Sequence, residues 1–347
     1  MAIADKTCLL VGGGLCGLIT ATVLARQGWR LTVLDKGWGM GGRLATRRLA
    51  ARGQTAYCDY GAQYFTVTSP QFLPWLEEWL QAGLVVPWLA EVPTLKTGGM
   101  GGHKIAYRGT AGNRSIAQFL AQQLAPHTLL SRHQVKCLQW REHQWQVEAQ
   151  CLSDDSRPIF GADRLVLTVP VPQGLELLAQ STITLAPAIQ AGLEAVTYAP
   201  CLTLLVLLSQ AASIPAPGAL ELTGEPLRWL ACNFQKGISP QGYGVTIQAG
   251  ADFSQRYWSL SEAEITSKIL AEASPWLGSE VLATSLHRWR YSQVLHPYPQ
   301  PYLFVSQPGP LYWGGDGFVA GKVEGAVLSA LAIAAALTQD NRNIEVV

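Results

Sequence analysis

Residues 8–47, CLLVGGGLCGLITATVLARQGWRLTVLDKGWGMGGRLATR, decide the reading of this chain. An apolar run at 8–11 leads into Gly12-x-Gly14-x-x-Gly17. An apolar stretch suited to a helix follows, then a second strand-like run at 31–34 that ends in Asp35. Strand, glycine turn, helix, strand and acid in this order make a dinucleotide-binding unit. Gly12 permits the tight turn, Gly14 lets backbone approach a pyrophosphate, and Gly17 lets helix and strand pack closely. The free N–H groups at the helix start favour an anion. Asp35 stands eighteen residues beyond Gly17, about where an acid meets a ribose hydroxyl. A glycine-rich turn alone would fit any α/β domain; the flanking strands and the acid at this distance single out a nucleotide site.

Composition narrows the rest. The 347 residues suffice for one large or two medium domains, and an apolar share of 48% supports a full core. Net charge is +1 with 14% of residues charged, so nothing electrostatic argues for nucleic acid or an anionic membrane surface. Twelve tryptophans on so weakly charged a chain point to a large aromatic pocket or an interface, although most are expected in or against the core. Seven cysteines without a CxxC pair suit a reducing cytosol, and six scattered histidines show no ligand spacing, so no metal is expected. The N-terminus carries no pattern of a secretory signal, and the longest apolar run, 326–337, suits a buried helix better than a membrane span. A cytoplasmic location is the resulting expectation.

Periodicity predicts the remaining elements. Phe72, Trp75, Leu76, Trp79 and Leu80 recur at helical spacing within 70–90, with Pro70 near the start. A second helix is expected at 115–124, and a pair of strands over 129–150 turning at 141–143. The glycine-rich 93–113 reads as irregular or as short strands. Strands are expected at 164–170, 202–208, 245–249 and 287–292, and loops at 215–217 and 237–244. Ser261 followed by Glu264 forms a capping box for a helix over 261–273. A last strand ends in Gly314-Gly315-Asp316-Gly317 before a helix over 323–337. Glycine turns at both ends of the chain predict one domain built from 1–68, 110–172 and 286–347, with 69–109 and 173–285 inserted as a substrate domain.

Three segments together resemble flavin-dependent oxidoreductases of the amine-oxidase and hydroxylase superfamily: the 12–35 unit, Gly41-Gly42-Arg43 as its second glycine motif, and Gly314-Gly315-Asp316-Gly317-Phe318 as the motif that closes on FAD. Within that superfamily the chain looks most like the bacterial branch of the renalase family. The stretches that carry this are Asp35-Lys36 with Gly41-Gly42-Arg43, Gly61-Ala62-Gln63-Tyr64, Trp289-Arg290-Tyr291-Ser292-Gln293-Val294 and Gly321-Lys322-Val323-Glu324-Gly325-Ala326. Residues 173–285 match only weakly. The resemblance implies an α/β fold, with a Rossmann-type FAD-binding domain of three-layer ββα, glutathione-reductase-2-like architecture. It also implies an inserted α+β substrate domain built on a mixed or antiparallel sheet.

The resemblance implies roles as well. Gly12, Gly14, Cys16 and Gly17 would cradle FAD through backbone, Cys16 without thiol chemistry. Asp35, with Lys36 beside it, would hold the adenosine ribose, and Val135 would touch adenine through its main chain. Gly42 and Arg43 would meet the pyrophosphate, for which a planar guanidinium is suited. Gly315 and Asp316 would contact the ribityl or pyrophosphate region. Val323, Glu324, Gly325 and Ala326 would aim the backbone of a helix start at the flavin pyrimidine ring and stabilise its reduced form. Gln63 and Tyr64 correspond to the pair beside the isoalloxazine, and Tyr64, Tyr107, Trp289 and Tyr291 are candidates for the walls of the substrate pocket. With no His or Cys beside the 314–318 motif, FAD is expected to be non-covalent. No protein side chain need do chemistry: flavin N5 takes a hydride from a donor held against it, and the protein supplies proximity and excludes water. The implied reaction oxidises isomeric dihydronicotinamide forms of NAD(P)H to NAD(P)+ and passes electrons to molecular oxygen, giving hydrogen peroxide.

Three other readings compete. A flavin amine oxidase ordinarily uses a lysine near N5 and an aromatic cage; aromatics are plentiful here, but Lys236 lies in a Gly/Pro loop rather than on a pocket strand. A carotenoid-type desaturase is disfavoured by the short chain and the lack of a recognisable membrane-docking helix. An FAD-binding redox sensor or assembly factor without turnover would keep the same cofactor motifs.

Overall fold

The computed structural model describes residues 6–89 and 105–344, and the chain folds as two compact units: 1–42, 117–197 and 294–347 in the first, 43–116 and 198–293 in the second. Of the glycine-rich stretch 93–113, residues 93–104 lie outside the described residues, and Ala106–Gly109 is a strand.

The first unit is built on a six-stranded sheet in the order Leu303–Val305, Leu311–Trp313, Arg164–Leu167, Thr7–Val11, Arg30–Leu34 and Thr128–Leu130. Five strands are parallel and the edge strand Leu303–Val305 is antiparallel to its neighbour. Thr7–Val11 is central, and Cys8, Leu9, Leu10 and Val11 are all buried, which is why the sequence there is an unbroken apolar run rather than an alternation. Helices Leu15–Ala25 and Lys322–Ile344 pack on each other as one layer. An antiparallel sheet of His133–Arg141, Gln144–Cys151 and Ile159–Ala162 supplies the third, completing the ββα arrangement. Its first hairpin turns through Glu142 and His143, at φ 51° and 60°, within the predicted 141–143 turn. The window Lys322–Gln339 is long and apolar enough to cross a membrane by length and composition, with a mean hydropathy of 1.2. In the first unit this helix buries Val327, Ala330, Ile333, Ala334 and Leu337 as a core helix does.

The second unit centres on a five-stranded sheet in the order Ala219–Glu221, Leu227–Cys232, Tyr243–Ala249, Thr197–Leu208 and Val281–His296. Leu204, Val206 and Leu208 share a core with Ile265, Ile269, Ala273 and Leu277 of helix Glu262–Leu277, while Leu205 and Leu207 pack with Leu49, Ala56 and Cys58. Both faces of this strand are therefore covered over 201–208, which is buried throughout and apolar except at Thr203 for that reason. The hairpin Thr46–Ala51/Gln54–Asp59 lies so close to this sheet that a Cβ at Gly244 would stand 2.6 Å from Cys58 Sγ. That packing brings residues 43–68 into the second unit, although the sequence pointed to a boundary near residue 68. A three-stranded sheet, Phe65–Thr66, Ala106–Gly109 and Val85–Leu89, completes the unit.

Three predicted helices differ in extent, the last of them running to Ile344 rather than 337. The first runs only over Leu73–Gln81, not 70–90: Gly83 takes φ 64° and Leu84 N–H bonds back to Trp79 O, a Schellman closure, after which Val85–Leu89 is a strand. The helix after Ser261 has the predicted capping box but continues past Ala273 through Pro275 to Leu277. Proline removes the N–H that would reach Ala271 O, and Ser274 Oγ donates to that carbonyl instead.

Candidate functional site

In the first unit the two ends of the chain converge on one glycine turn. Gly12 has φ 113°, and a Cβ there would lie 2.6 Å from Thr168 Oγ1, which itself donates to Gly12 O at 2.8 Å. A Cβ at Gly17 would strike the Gly12 carbonyl oxygen. Gly14 differs: its φ is −74°, and no atom lies within 4 Å of the position a Cβ would take. It caps helix Leu15–Ala25 without any side-chain hydrogen bond, and the first turn carries no acid. The backbone amides at this helix start are thus placed to receive an anion from the open side of Gly14.

Asp35 ends its strand against this turn. Its carboxylate accepts from Gly13 N–H and Gly37 N–H, both at 2.6 Å, one on each oxygen, so lone pairs remain for a diol. Burial raises its pKa, while the Gly37 and Gly13 amides and the Lys36 charge pull it back down. Its main chain bonds Leu130 O and His133 N–H, which places Val135 two residues along the adjoining strand. The second glycine motif lies directly on the first: Gly41 N–H donates to Gly13 O at 2.7 Å, and a Cβ at Gly42 (φ 53°) would be 3.3 Å from Gly14 Cα. Gly315 (φ 131°) donates its N–H to Ser329 Oγ at 2.9 Å, and Phe318 N–H closes the turn on Gly315 O. Buried Cys16 lies beside Ser329 and within the field of Asp316, and its thiol is pushed up to about 12 by burial, so it stays protonated. Gly325 N–H bonds Gly321 O, so Val323, Glu324, Gly325 and Ala326 open the last helix next to this motif. Sequence reasoning missed Thr168, the residue that locks Gly12; a threonine at a strand end carries no signal of such a role. Among the described residues no cluster of His, Cys, Asp and Glu could hold a metal.

The candidate pocket residues and Arg43 belong to the second unit. Arg43 donates to Tyr291 O at 3.0 Å. The four aromatic candidates each meet a different ring. Tyr64 lies 5.5 Å from Trp229, Tyr107 is 5.9 Å from Phe65, Trp289 is 5.3 Å from Tyr60, and Tyr291 is 5.4 Å from Tyr198. Burial raises the Tyr64 phenol pKa. His287 packs 4.2 Å from Trp289 and 4.9 Å from Tyr60, and burial, with Arg47 nearby, pushes its pKa down from 6.5 to about 4. The unfolded chain therefore binds a proton near pH 6.5 that the folded chain refuses until about pH 4, and stability falls as pH is lowered through that window. In chemical unfolding at a series of pH values, His287→Phe is expected to reduce the stability lost across this window by on the order of 1 kcal/mol after solvent screening; an unchanged loss would refute it.

Lys236, expected in a Gly/Pro loop, does follow strand Leu227–Cys232 in a turn, but its side chain is fully buried. Nζ donates to Asp59 Oδ2 at 2.7 Å and Gln63 O at 2.6 Å and stands 4.7 Å above the Trp88 ring. Burial lowers its pKa, and Asp59 opposes that shift. The other Asp59 oxygen accepts from Thr46 Oγ1 and from Asn113 N–H. Gln63 turns its Nε2 onto Asp59 O and Gly61 O, while Gln63 Oε1 and Trp229 Nε1 are buried without a hydrogen-bond partner.

The NAD(P)-binding Rossmann-like domain profile matches residues 10–80, and the flavin containing amine oxidoreductase profile matches residues 90–338, well over half the chain. The chain belongs to the flavin-containing amine oxidoreductase family. The fold of this family member recurs in a protein from Exiguobacterium sp. 255-15 whose name proposes protoporphyrinogen oxidase activity (TM-score 0.75, 13% identity, 98% of this chain and 100% of that one). It recurs too in an oxidoreductase from Methanosarcina mazei (TM-score 0.66, 15% identity, 94% and 99%). A triple mutant of putrescine oxidase is also similar (TM-score 0.68, 14% identity, 97% and 99%). At these identities the likeness concerns the fold alone. Membership makes the protein a flavin-dependent oxidoreductase and suggests FAD as its cofactor, and the uncapped helix start, the open Gly14 and the acid at Asp35 fit a dinucleotide of that kind.

Proposed function

We propose that the protein is an FAD-dependent oxidase of the renalase type, which oxidises isomeric dihydronicotinamide forms of NAD(P)H with molecular oxygen as the acceptor. FAD, held non-covalently, would take the seat of the first unit. Backbone at Gly12, Gly14, Cys16 and Gly17 would hold the pyrophosphate, with Gly42 contributing, while Asp35, with Lys36 beside it, would hold the ribose and Val135 the adenine. Gly315, Asp316 and the helix start at 323–326 would face the flavin half. When bound, FAD supplies a hydride acceptor at N5.

One observation supports the choice of donor: the residue before Tyr64 carries a buried acceptor, Gln63 Oε1, and the ring that Tyr64 packs against carries a buried donor, Trp229 Nε1, each without a hydrogen-bond partner. A buried polar atom left unpaired costs about 1–3 kcal/mol, which a complementary ligand removes. A primary carboxamide, as on nicotinamide, brings both a donor and an acceptor; an aliphatic ammonium can meet only Gln63. The rings of Tyr64 and Trp88, both packed on Trp229, suit a planar partner. The amine-oxidase alternative has weaker support. Among the described residues of the second unit the lysines are Lys236, committed to Asp59, and Lys268, on a helix above the Tyr257 ring.

Anaerobic rapid mixing of the purified flavoprotein with a panel of dihydronicotinamide isomers and amines tests the reading. Fast bleaching of the long-wavelength flavin band by the isomers is expected. Bleaching by amines alone would sink the proposal, and bleaching by neither would indicate a binding module without turnover.

A further inference from the structure

From Asp59 to Gln63, five consecutive backbone carbonyls each accept a hydrogen bond from a side chain of the second unit. Thr246 Oγ1 donates to Asp59 O at 2.8 Å, Trp289 Nε1 to Tyr60 O at 2.7 Å and Gln248 Nε2 to Gly61 O at 2.9 Å. Asn113 Nδ2 donates to Ala62 O at 2.7 Å and Lys236 Nζ to Gln63 O at 2.6 Å. The donors come from strand Tyr243–Ala249, strand Val281–His296, the turn before helix Arg114–Gln123 and the turn after strand Leu227–Cys232. Irregular backbone ordinarily finds its partners in turns or water. Here separate elements hold one short segment, and that segment ends immediately before Tyr64.

Lys236 is the charged member of this set. Its three N–H donors have three partners: the Asp59 carboxylate, the Gln63 carbonyl and the face of Trp88. A side chain so committed, and buried beneath the segment, has no N–H left over for a reacting molecule. What it can set is the direction in which residues 63 and 64 leave the clamp.

We propose that Lys236 is a positioning residue for the oxidation: anchored by Asp59, it fixes the Gln63 carbonyl and so orients Gln63 and Tyr64 toward the substrate. This rests on the reading of those two residues as substrate-facing. Transfer of a hydride depends on placement of the donor carbon to a fraction of an ångström, so a loosened clamp lowers the rate of reduction more than it weakens donor binding.

The decisive variant is the double substitution Asp59→Asn with Lys236→Met, which removes the clamp without leaving one buried charge unpaired. Hydrogen–deuterium exchange on the purified protein should show residues 59–66 exchanging about ten-fold faster, with helix Glu262–Leu277 unchanged. The limiting rate of flavin reduction should fall about 10- to 100-fold while the half-saturating donor concentration moves far less. Native exchange at 59–66 in the folded double variant would overturn the proposal, as would equal acceleration of 59–66 and of Glu262–Leu277. Lys236→Arg, which keeps a cation beside Asp59 and a donor for the Gln63 carbonyl, is expected to retain most of the protection at 59–66; loss of protection there would overturn it too. If the native protein is reduced by no dihydronicotinamide, the functional reading fails while the exchange comparison still decides the clamp.

Discussion

Gly14→Val is expected to yield a folded protein that purifies without flavin. Gly14 has an ordinary φ of −74° and open space where the side chain would go, so the fold should lose only the roughly 1 kcal/mol that a poorer N-cap costs. The same open space is the one through which a pyrophosphate would reach the helix amides, and a branched side chain there holds it away. Flavin affinity should fall by about 100-fold or more, measured by titrating FAD into the stripped protein while circular dichroism and the melting temperature stay near native. Gly17→Val makes the contrast: its Cβ would collide with the Gly12 carbonyl, so stability and flavin should be lost together. A Gly14 variant that kept stoichiometric flavin would mean that the cofactor does not approach through this turn.

Lys236→Met alone is expected to lower the unfolding free energy by about 3–5 kcal/mol, because it strands the Asp59 carboxylate in a fully buried site. Adding Asp59→Asn should recover most of that loss, since two neutral groups of similar volume replace a pair whose attraction is offset by desolvation. Chemical unfolding of the two single variants and the double variant measures the coupling directly. Additive losses would show that the pair contributes no specific interaction.

Local pattern made much of the first unit legible, and one helix start of the second. The glycine turn, the acid at Asp35 and the capping box at Ser261 and Glu264 depend on neighbours within a few residues or one supersecondary unit, and each stands where the sequence puts it. What the sequence hid depends on distant partners. Val85–Leu89 read as the tail of a helix because its partner strand, Ala106–Gly109, lies beyond a glycine-rich stretch. Lys236 read as a loop lysine away from any pocket strand because the carboxylate that permits its burial is 177 positions away in the chain. Residues 43–68 read as part of the nucleotide unit they follow, and only the seat that Gly242 and Gly244 leave for the hairpin shows where they pack. The aromatic candidates were recognisable as aromatic, but their distribution over four separate ring contacts is a tertiary fact.

The backbone passes between the two units at 42/43, 116/117, 197/198 and 293/294. On the ribosome this gives the units different completion times. Every residue of the second unit has been made once position 293 is reached, whereas the nucleotide sheet still lacks Leu303–Val305, Leu311–Trp313 and the helix that shields it. The nucleotide-binding turn, made before any residue of the second unit, is thus the last to be enclosed. A nascent chain stalled near position 293 would present a completed second unit tethered to a nucleotide sheet that still lacks two strands and its covering helix.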